Sequence, residues 1–245
     1  PLCQLDNTRR LRYTIRKKEA AAMKLAPLLK IEKGVTAIIG SGGKTTLLRT
    51  LSGELPGRVL LCTSTHFQGY ADLPTVLDPT EADLRKALAA HPIVCTAGRS
   101  PTGKLVDCGL PYETLADLAD FVLVEADGSR RRPLKAHARH EPVIPPCTRQ
   151  VICVVGLSGL HRPVSEVVHR PELFCPLVGC TPEDEATPER VARALVQEHL
   201  ADTYFLNQAE SGSALQDAKI IASHLKPQGF SVVAGSQREK RYYIL

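Results

Sequence analysis

The chain has 245 residues, of which 43% are hydrophobic, so it can bury the core of one large α/β domain and is not intrinsically disordered. The sequence contains no secretory signal and no apolar run of roughly 18 residues, the length of a membrane-spanning helix. Its net charge is +5, but residues 1–22 hold six basic and two acidic side chains. Because the remainder is nearly neutral, we expect neither a nucleic-acid-binding surface nor membrane association.

The basic segment at residues 1–22 differs in composition from the rest of the chain. Met23 is the sole methionine and precedes an amphipathic lead-in to the first strand. We therefore interpret residues 1–22 as a basic leader, non-native or disordered, and residues 23–245 as a single domain; a genuine basic arm is the alternative. Eight cysteines occur without a C-x-x-C pair, and several fall in apolar runs, which indicates buried free thiols and a cytoplasmic location.

A glycine-rich loop, residues 40–46, joins a predicted strand at residues 35–39 to a predicted helix at about residues 44–54. Backbone N–H groups of such a loop bind phosphate, which predicts ATP or GTP with Mg²⁺ as the ligand. Lys44 is expected to contact the β- and γ-phosphates as a catalytic residue, and the Thr45 hydroxyl to hold Mg²⁺. The predicted nucleotide-binding residues of the loop are Gly40, Ser41, Gly42, Gly43, Lys44, Thr45 and Thr46. A glycine-rich turn that binds nothing is the alternative.

The spacing within this loop departs from the common phosphate-binding pattern. Gly40 precedes Lys44 by four positions rather than six, and this shorter loop resembles the one in Mur-type amide ligases. A second predicted strand, residues 58–62, ends in a cluster of hydroxyls and an imidazole. Since open α/β sheets bind ligands at the carboxyl ends of their strands, Thr65 and His66 are expected to contact the nucleotide, its metal or a substrate. The alternative is a loop whose hydroxyls cap the backbone.

Farther along, a helix opens at residues 79–81, residues 92–96 predict a strand, and residues 112–118 predict a short helix. Four apolar residues, 121–124, then lead to two acids, as in a Walker B strand whose carboxylate holds Mg²⁺. Glu125 is the predicted metal ligand beside Thr45. Asp127 is predicted to position water or to act as a base.

A dense polar run, residues 130–142, follows the acidic strand end and should lie near the terminal phosphate. Cations there can neutralise a transferring phosphoryl group or bind an anionic second substrate. We predict a catalytic role for Arg130 and a substrate-binding role for Lys135, His140 and Glu141. A solvated basic loop is the alternative.

The second half of the chain continues the alternation of strands and helices. Residues 151–156, 202–207 and 230–234 predict strands; Thr187 is placed as the N-cap of a helix, and residues 213–225 predict another helix. Asn207 opens a tetrapeptide similar to the Asn-Lys-x-Asp motif of GTP-binding proteins and is expected to contact the base. The pattern predicts a three-layer, P-loop NTPase-like α/β fold, a mostly parallel sheet of about seven strands with helices on both faces. Residues 129–150 and 157–187 are expected to form active-site loops or a lid.

Several motifs, taken together and in order, resemble the YqeC-like family of selenium-dependent hydroxylase accessory proteins. They are Gly40-Ser41-Gly42-Gly43-Lys44-Thr45-Thr46, Thr63-Ser64-Thr65-His66, Val124-Glu125-Ala126-Asp127-Gly128-Ser129-Arg130, Pro133-Leu134-Lys135-Ala136 and His140-Glu141-Pro142-Val143-Ile144-Pro145. The resemblance extends from residue 23 to the C-terminus. It implies a P-loop NTPase fold and a role beside selenium-dependent molybdenum hydroxylases, in maturation of their cofactor.

Three functions remain open from the sequence. The first is a Mg²⁺-dependent enzyme that hydrolyses ATP or GTP or transfers its phosphoryl group. The second is a nucleotide-gated factor that delivers a phosphorylated pterin cofactor to a molybdenum hydroxylase apoenzyme. The third is a Mur-like amide ligase, which ranks last because 245 residues leave little room for the extra domains of such ligases.

Overall fold

The computed structural model describes residues 24–67, 69–101 and 105–245, so the predicted leader at residues 1–22 lies outside the described residues. The strands are β1 (Gly34–Gly40), β2 (Val59–Thr63), β3 (His66–Phe67), β4 (Thr75–Leu77), β5 (Ile93–Arg99), β6 (Leu105–Val106), β7 (Phe121–Glu125), β8 (Leu134–Lys135), β9 (Thr148–Gly156), β10 (Val168–His169), β11 (Thr203–Asn207), β12 (Ser231–Ser236) and β13 (Arg241–Ile244). The α-helices are α1 (Leu25–Leu28), α2 (Lys44–Glu54), α3 (Glu81–Ala90), α4 (Tyr112–Leu118), α5 (Val164–Val167), α6 (Pro171–Val178), α7 (Pro188–Glu198) and α8 (Gly212–Leu225).

One central sheet organises the described part of the chain. Its strand order is β13-β12-β11-β9-β1-β7-β2-β5-β6-β3, and β4 pairs with β5. The strands from β12 to β5 along this order are parallel, and so is β4, whereas β13, β6 and β3 join through antiparallel pairs. The predicted α/β class with a mostly parallel sheet is therefore confirmed, and the architecture is consistent with a P-loop NTPase-like fold.

The central strands are apolar without alternation because both of their faces are covered. In β1, Ile38 packs in the core that contains the leucines of α1 and α2. Its neighbours Ala37 and Ile39 point to the other face, where they pack in the core that contains residues of α6, α7 and α8. A third core cluster joins β2 and β7 to α3 and α4. This three-layer arrangement places β1 in the middle of the sheet, with its carboxyl end beside those of β7 and β9.

The structure departs from the sequence-based expectation in two regions. About seven strands were predicted, whereas the main sheet has eleven, since short edge strands and the antiparallel β13 extend it. Residues 157–187 were expected to be loops or a lid, but they contain α5 and α6. Phe174 and Val178 of α6 are buried in the same core as α7 and α8, so this helix is part of the packed domain rather than a lid.

The described part of the chain has no helix that is both long and apolar enough to cross a membrane. Cys62, Cys95 and Cys153 are buried free thiols in β2, β5 and β9, as expected. Burial raises the pKa of all three thiols above the ordinary value. These cysteines therefore pack as small apolar side chains and are poor nucleophiles.

Candidate functional site: a glycine-rich loop over a buried carboxylate

The glycine-rich loop, residues 40–46, connects β1 to α2 as predicted. Gly40, Gly42 and Gly43 have φ values of +86°, +87° and +129°, which L side chains rarely adopt. A Cβ atom on Gly42 would also lie 2.3 Å from the Cα of Gly156, so that position has no room for a side chain. The loop is therefore tightly folded against the end of β9, and its last three residues form the start of α2, which begins at Lys44.

Lys44 lies beneath the loop with only 4% of its side chain exposed. Its ammonium donates to the carbonyl of Gly40 over 2.7 Å and lies 2.9 Å from Asp127 Oδ1. Glu125 Oε1 is 3.8 Å from the same nitrogen. These contacts hold the amine at the start of α2, where the loop also turns, which is the position required of a lysine that binds phosphate oxygens.

Asp127 is the centre of this network, and its side chain is completely buried. Its Oδ2 atom accepts from the backbone N–H of Gly40 at 2.8 Å, from Lys135 Nζ at 3.0 Å and from His137 Nε2 at 2.9 Å. Burial by itself would raise the pKa of Asp127, but Lys44, His137 and Lys135 outweigh it and hold that pKa well below its ordinary value. Asp127 therefore stays ionised.

The two oxygens of Asp127 differ in their contacts. Oδ2 accepts three hydrogen bonds, whereas Oδ1 is buried, lies 2.9 Å from the Lys44 ammonium and has no hydrogen-bond partner among the described residues. These contacts fix Lys44 and the first turn of the loop. The action on water that the sequence predicts for Asp127 stays a prediction.

Three further charged pairs lie behind Asp127 and support its partners. Lys135, whose side chain is 1% exposed, also lies 2.7 Å from Glu141 Oε1, and Glu141 in turn pairs with Arg170. His137 lies between two carboxylates, because its Nδ1 is 2.9 Å from Glu198 Oε2. Burial would lower the pKa of His137, but hydrogen bonds to Asp127 and Glu198 raise it above the ordinary value and so favour the protonated ring.

Thr45 and Glu125 form the candidate magnesium site. The Thr45 hydroxyl is 3.5 Å from Glu125 Oε2, at the carboxyl end of β7. Burial raises the pKa of Glu125 above its ordinary value, although Lys44 lowers it, and the charge of Asp127 adds to the increase. A divalent cation bound there would favour the ionised carboxylate. In the described residues no group of three or more His, Cys, Asp or Glu side chains is arranged around a metal. A hydroxyl and one carboxylate suit Mg²⁺, which commonly takes its other ligands from phosphates and water.

Asn207 was expected to contact a base, but the structure places it under the loop. It is buried, its Nδ2 donates to the carbonyl of Gly42 over 2.8 Å, and its Oδ1 accepts from the backbone N–H of Gln237 over 3.3 Å. The Gln237 side chain donates to the carbonyl of Gly43 over 3.2 Å. The ends of β11 and β12 thus hold the loop backbone from below, and the Asn207 amide is already engaged.

A pocket of about 530 Å³ opens over the loop. Of the predicted site residues, it brings together Gly42, Gly43, Lys44, Thr45, Thr46, His66, Glu125 and Arg130. Sequence reasoning missed Ser158 and Gln208, and it did not favour Arg131 or Arg132 over the rest of the basic run. The last two were detectable, since they adjoin Arg130 directly after the acidic strand end.

The other predicted site residues lie outside the lining of this pocket. The charged network behind the pocket contains Asp127, Lys135 and Glu141. Their side chains can be buried because Lys135 forms ion pairs with both carboxylates. His140 is exposed in the turn where the N–H of Glu141 donates to the carbonyl of Ala138. Thr65 is half-buried; its N–H donates to the Thr63 hydroxyl, and its own hydroxyl has no hydrogen-bond partner among the described residues. Gly40 and Ser41 form the buried base of the loop.

The donor set around the pocket fits a nucleotide phosphate chain. The Ser41 hydroxyl is buried and has no hydrogen-bond partner within the part of the chain that the structure describes. Lys44 and Arg130 bring positive charge to a pocket that has one carboxylate, Glu125, among its lining residues. Glycines that allow close backbone approach, a lysine at a helix start and a hydroxyl beside a carboxylate are groups that could hold phosphate and Mg²⁺.

Comparisons with known proteins identify the family. The family described as "YqeC protein" matches residues 36–172, more than half of the chain, which includes the loop, Glu125, Asp127 and Arg130. The chain is 38% identical over 161 residues to the protein YqeC of Escherichia coli (strain K12). That alignment covers 61% of this chain and 62% of the relative, which is less than two thirds of the relative's own length. On the family match and on the geometry of the loop, this chain belongs to the YqeC family.

Proposed function

We propose that this protein binds ATP or GTP together with Mg²⁺ and hydrolyses the nucleotide or transfers its terminal phosphoryl group. The observation that carries the proposal is the position of Lys44. Its buried ammonium is held by the Gly40 carbonyl and Asp127 at the start of α2, beside a 530 Å³ pocket lined by the loop, Glu125 and arginines.

Phosphoryl transfer requires positioning and charge stabilisation more than covalent chemistry from the protein. Lys44 and the loop amides would bind the β- and γ-phosphates, and Arg130 would stabilise charge on the transferring group. Thr45 and Glu125 would hold Mg²⁺, which supplies charge neutralisation between the phosphates when it is bound. Asp127 would keep Lys44 and the Gly40 N–H aligned. Lys135 and His137 would balance the charge of Asp127 once the Lys44 ammonium turns toward phosphate.

Turnover assays with single variants test this proposal. Phosphate release from ATP and GTP should require Mg²⁺ and should be abolished by Lys44→Met. Glu125→Gln should raise the Mg²⁺ concentration needed for half-maximal rate, because it removes the charge that holds the cation. Arg139→Asn is the control, since Arg139 is exposed and outside the pocket lining. Turnover that survives Lys44→Met unchanged would contradict the proposal.

One observation favours a second candidate, a nucleotide-gated insertion factor. Asp127 is completely buried and outside the pocket lining, and the described lining residues include no carboxylate besides Glu125, so the intrinsic rate of attack by water should be low. Family resemblance points to selenium-dependent hydroxylases, with a phosphorylated pterin cofactor as cargo. Capture of a molybdenum hydroxylase apoenzyme only with bound nucleotide would support gating; equal capture with and without nucleotide would count against it.

A further inference from the structure

A turn in the pocket wall has arginine at two positions whose backbone conformation rarely accommodates a large side chain. The N–H of Arg132 donates to the carbonyl of Ser129 over 3.0 Å, and the two residues between them have φ values of +47° and +61°. Positive φ at both central positions is the signature of a type I′ turn, which is dominated by Gly, Asn and Asp. Here the positions are occupied by Arg130 and Arg131, so the turn, residues 129–132, is strained. Such strain in a pocket wall points to a function for the side chains it presents.

The arginine turn is anchored at its C-terminal end. The carbonyl of Pro133 accepts from the N–H of Gly156 at 2.9 Å, directly against the glycine-rich loop. The Arg132 guanidinium is fixed as well, because its NH1 donates to the carbonyl of Ser165 over 3.1 Å. The turn is therefore attached to the ends of the sheet, and its two central side chains are presented from a fixed point.

Arg130 and Arg131 themselves have no hydrogen bond or ion pair to any residue that the structure describes, although both are exposed and line the pocket. Lys44 and the loop amides already provide donors for the phosphates of a nucleotide. Even with Arg130 assigned to the transferring group, one guanidinium remains for another anion. Guanidinium groups bind phosphate and carboxylate through paired N–H donors.

We infer that Arg131 binds the oxyanion group, a phosphate or a carboxylate, of a small second substrate that enters the same pocket. This inference rests on the proposed function and names the substrate class for it. The acceptor is an anionic small molecule, and Arg131, which the sequence did not single out, is a specificity-determining residue.

Binding measurements with defined anions test the assignment. Glycerol 3-phosphate, glycerate and neutral glycerol are titrated by calorimetry into the protein, alone and saturated with ADP and Mg²⁺. Glycerol 3-phosphate or glycerate should bind the nucleotide-loaded protein, whereas glycerol should not. The more tightly bound of the two anions shows whether the site prefers a phosphate or a carboxylate. Arg131→Asn should weaken that probe by about tenfold or more, because it removes a charged donor pair, while the affinity for ADP is unchanged.

The choice of asparagine separates binding from folding. Asparagine tolerates positive φ, so Arg131→Asn should keep or raise the urea midpoint of unfolding, whereas a guanidinium with a structural role would lower it. Arg139→Asn is the matched control, since Arg139 lies in the neighbouring 138–141 turn and outside the pocket lining. It should change neither probe nor nucleotide binding.

The other outcomes distinguish the anion site at Arg131 from the proposed nucleotide function. Equal probe affinity in Arg131→Asn and the unchanged protein overturns the inference. The inference is also overturned if neither oxyanion probe binds more tightly than glycerol. A parallel loss of ADP affinity also overturns it, because Arg131 would then belong to the nucleotide. If ADP fails to bind while the probe still depends on Arg131, the proposed nucleotide function fails and the anion site stands.

Discussion

Asp127→Asn is expected to destabilise the protein far more than an ordinary loss of one surface charge. The carboxylate is completely buried and lies within 3.0 Å of Lys44, Lys135 and His137. Asparagine can still accept from the Gly40 N–H, but it cannot neutralise the buried cations. Removing one partner of a buried pair costs about 3–5 kcal/mol of unfolding free energy, because the remaining charge is left uncompensated.

Urea denaturation measures this cost directly. With a slope of about 2–3 kcal/mol per M of urea, the midpoint should fall by about 1–2.5 M. Asp72→Asn is the control, because Asp72 pairs with Arg49 at the surface with 64% of its side chain exposed. That change should cost about 0–1 kcal/mol.

A double variant tests whether stranded charge is the cause. Adding Lys135→Met to Asp127→Asn removes one of the cations that lost Asp127 as a partner and replaces it with an apolar side chain of similar length. Glu141, the other partner of Lys135, keeps its pair with Arg170. The double variant should therefore be more stable than Asp127→Asn alone. An Asp127→Asn midpoint equal to that of Asp72→Asn would refute the reasoning, and so would further loss of stability in the double variant.

Two other predictions follow from the same site. Gly42→Ala should abolish nucleotide binding, because the new Cβ would lie 2.3 Å from the Cα of Gly156. The control is Gly53→Ala in α2, where no atom lies within 4 Å of the new Cβ; it should retain binding and raise the unfolding free energy by about 0.5–1 kcal/mol. Equal nucleotide binding by both variants in calorimetry would contradict this. His137 has a raised pKa in the folded state, so its stabilisation is fully present below the unfolded value of about 6.5 and is lost as the pH rises through the folded pKa. The loss of unfolding free energy in His137→Gln should therefore be larger at acidic than at alkaline pH, and a loss independent of pH in urea titrations would contradict it.

The main elements of the fold were predictable because the parallel strands are buried on both faces. Apolar runs such as residues 121–124 give a strong signal for such strands, and the helix at residues 44–54 agrees with α2. The edge strand β13 was missed although Tyr242 and Ile244 favour β-structure, because it is an antiparallel addition after the last crossover. Helix α6 was missed because prolines and charges in residues 157–187 are typical of loops, while Phe174 packs it into the core.

Local spacing predicted which residues meet at the candidate phosphate site, but it did not predict the buried charges that support them. Lys44, Thr45 and Glu125 follow from a glycine-rich turn and an acidic strand end, and both signals are local. The partners of Asp127 depend on packing between distant segments, since Glu198 is 61 residues from His137. The sequence did contain one signal, since Lys135 and His137 alternate with the buried apolar residues Leu134 and Ala136. This alternation indicates an extended segment whose two polar side chains point the same way, here toward Asp127.

The central claim, that the glycine-rich loop binds nucleotide phosphates with Mg²⁺, is tested most directly by thermal unfolding of the protein with a panel of nucleotides. A ligand that binds only the folded state at about a hundredfold excess over Kd should raise the unfolding free energy by about 2.7 kcal/mol. We predict this shift for ATP or GTP with Mg²⁺, a smaller shift with a chelator, and none for Lys44→Met. An unfolding temperature that no nucleotide changes, or a shift that persists undiminished in Lys44→Met, would contradict the account.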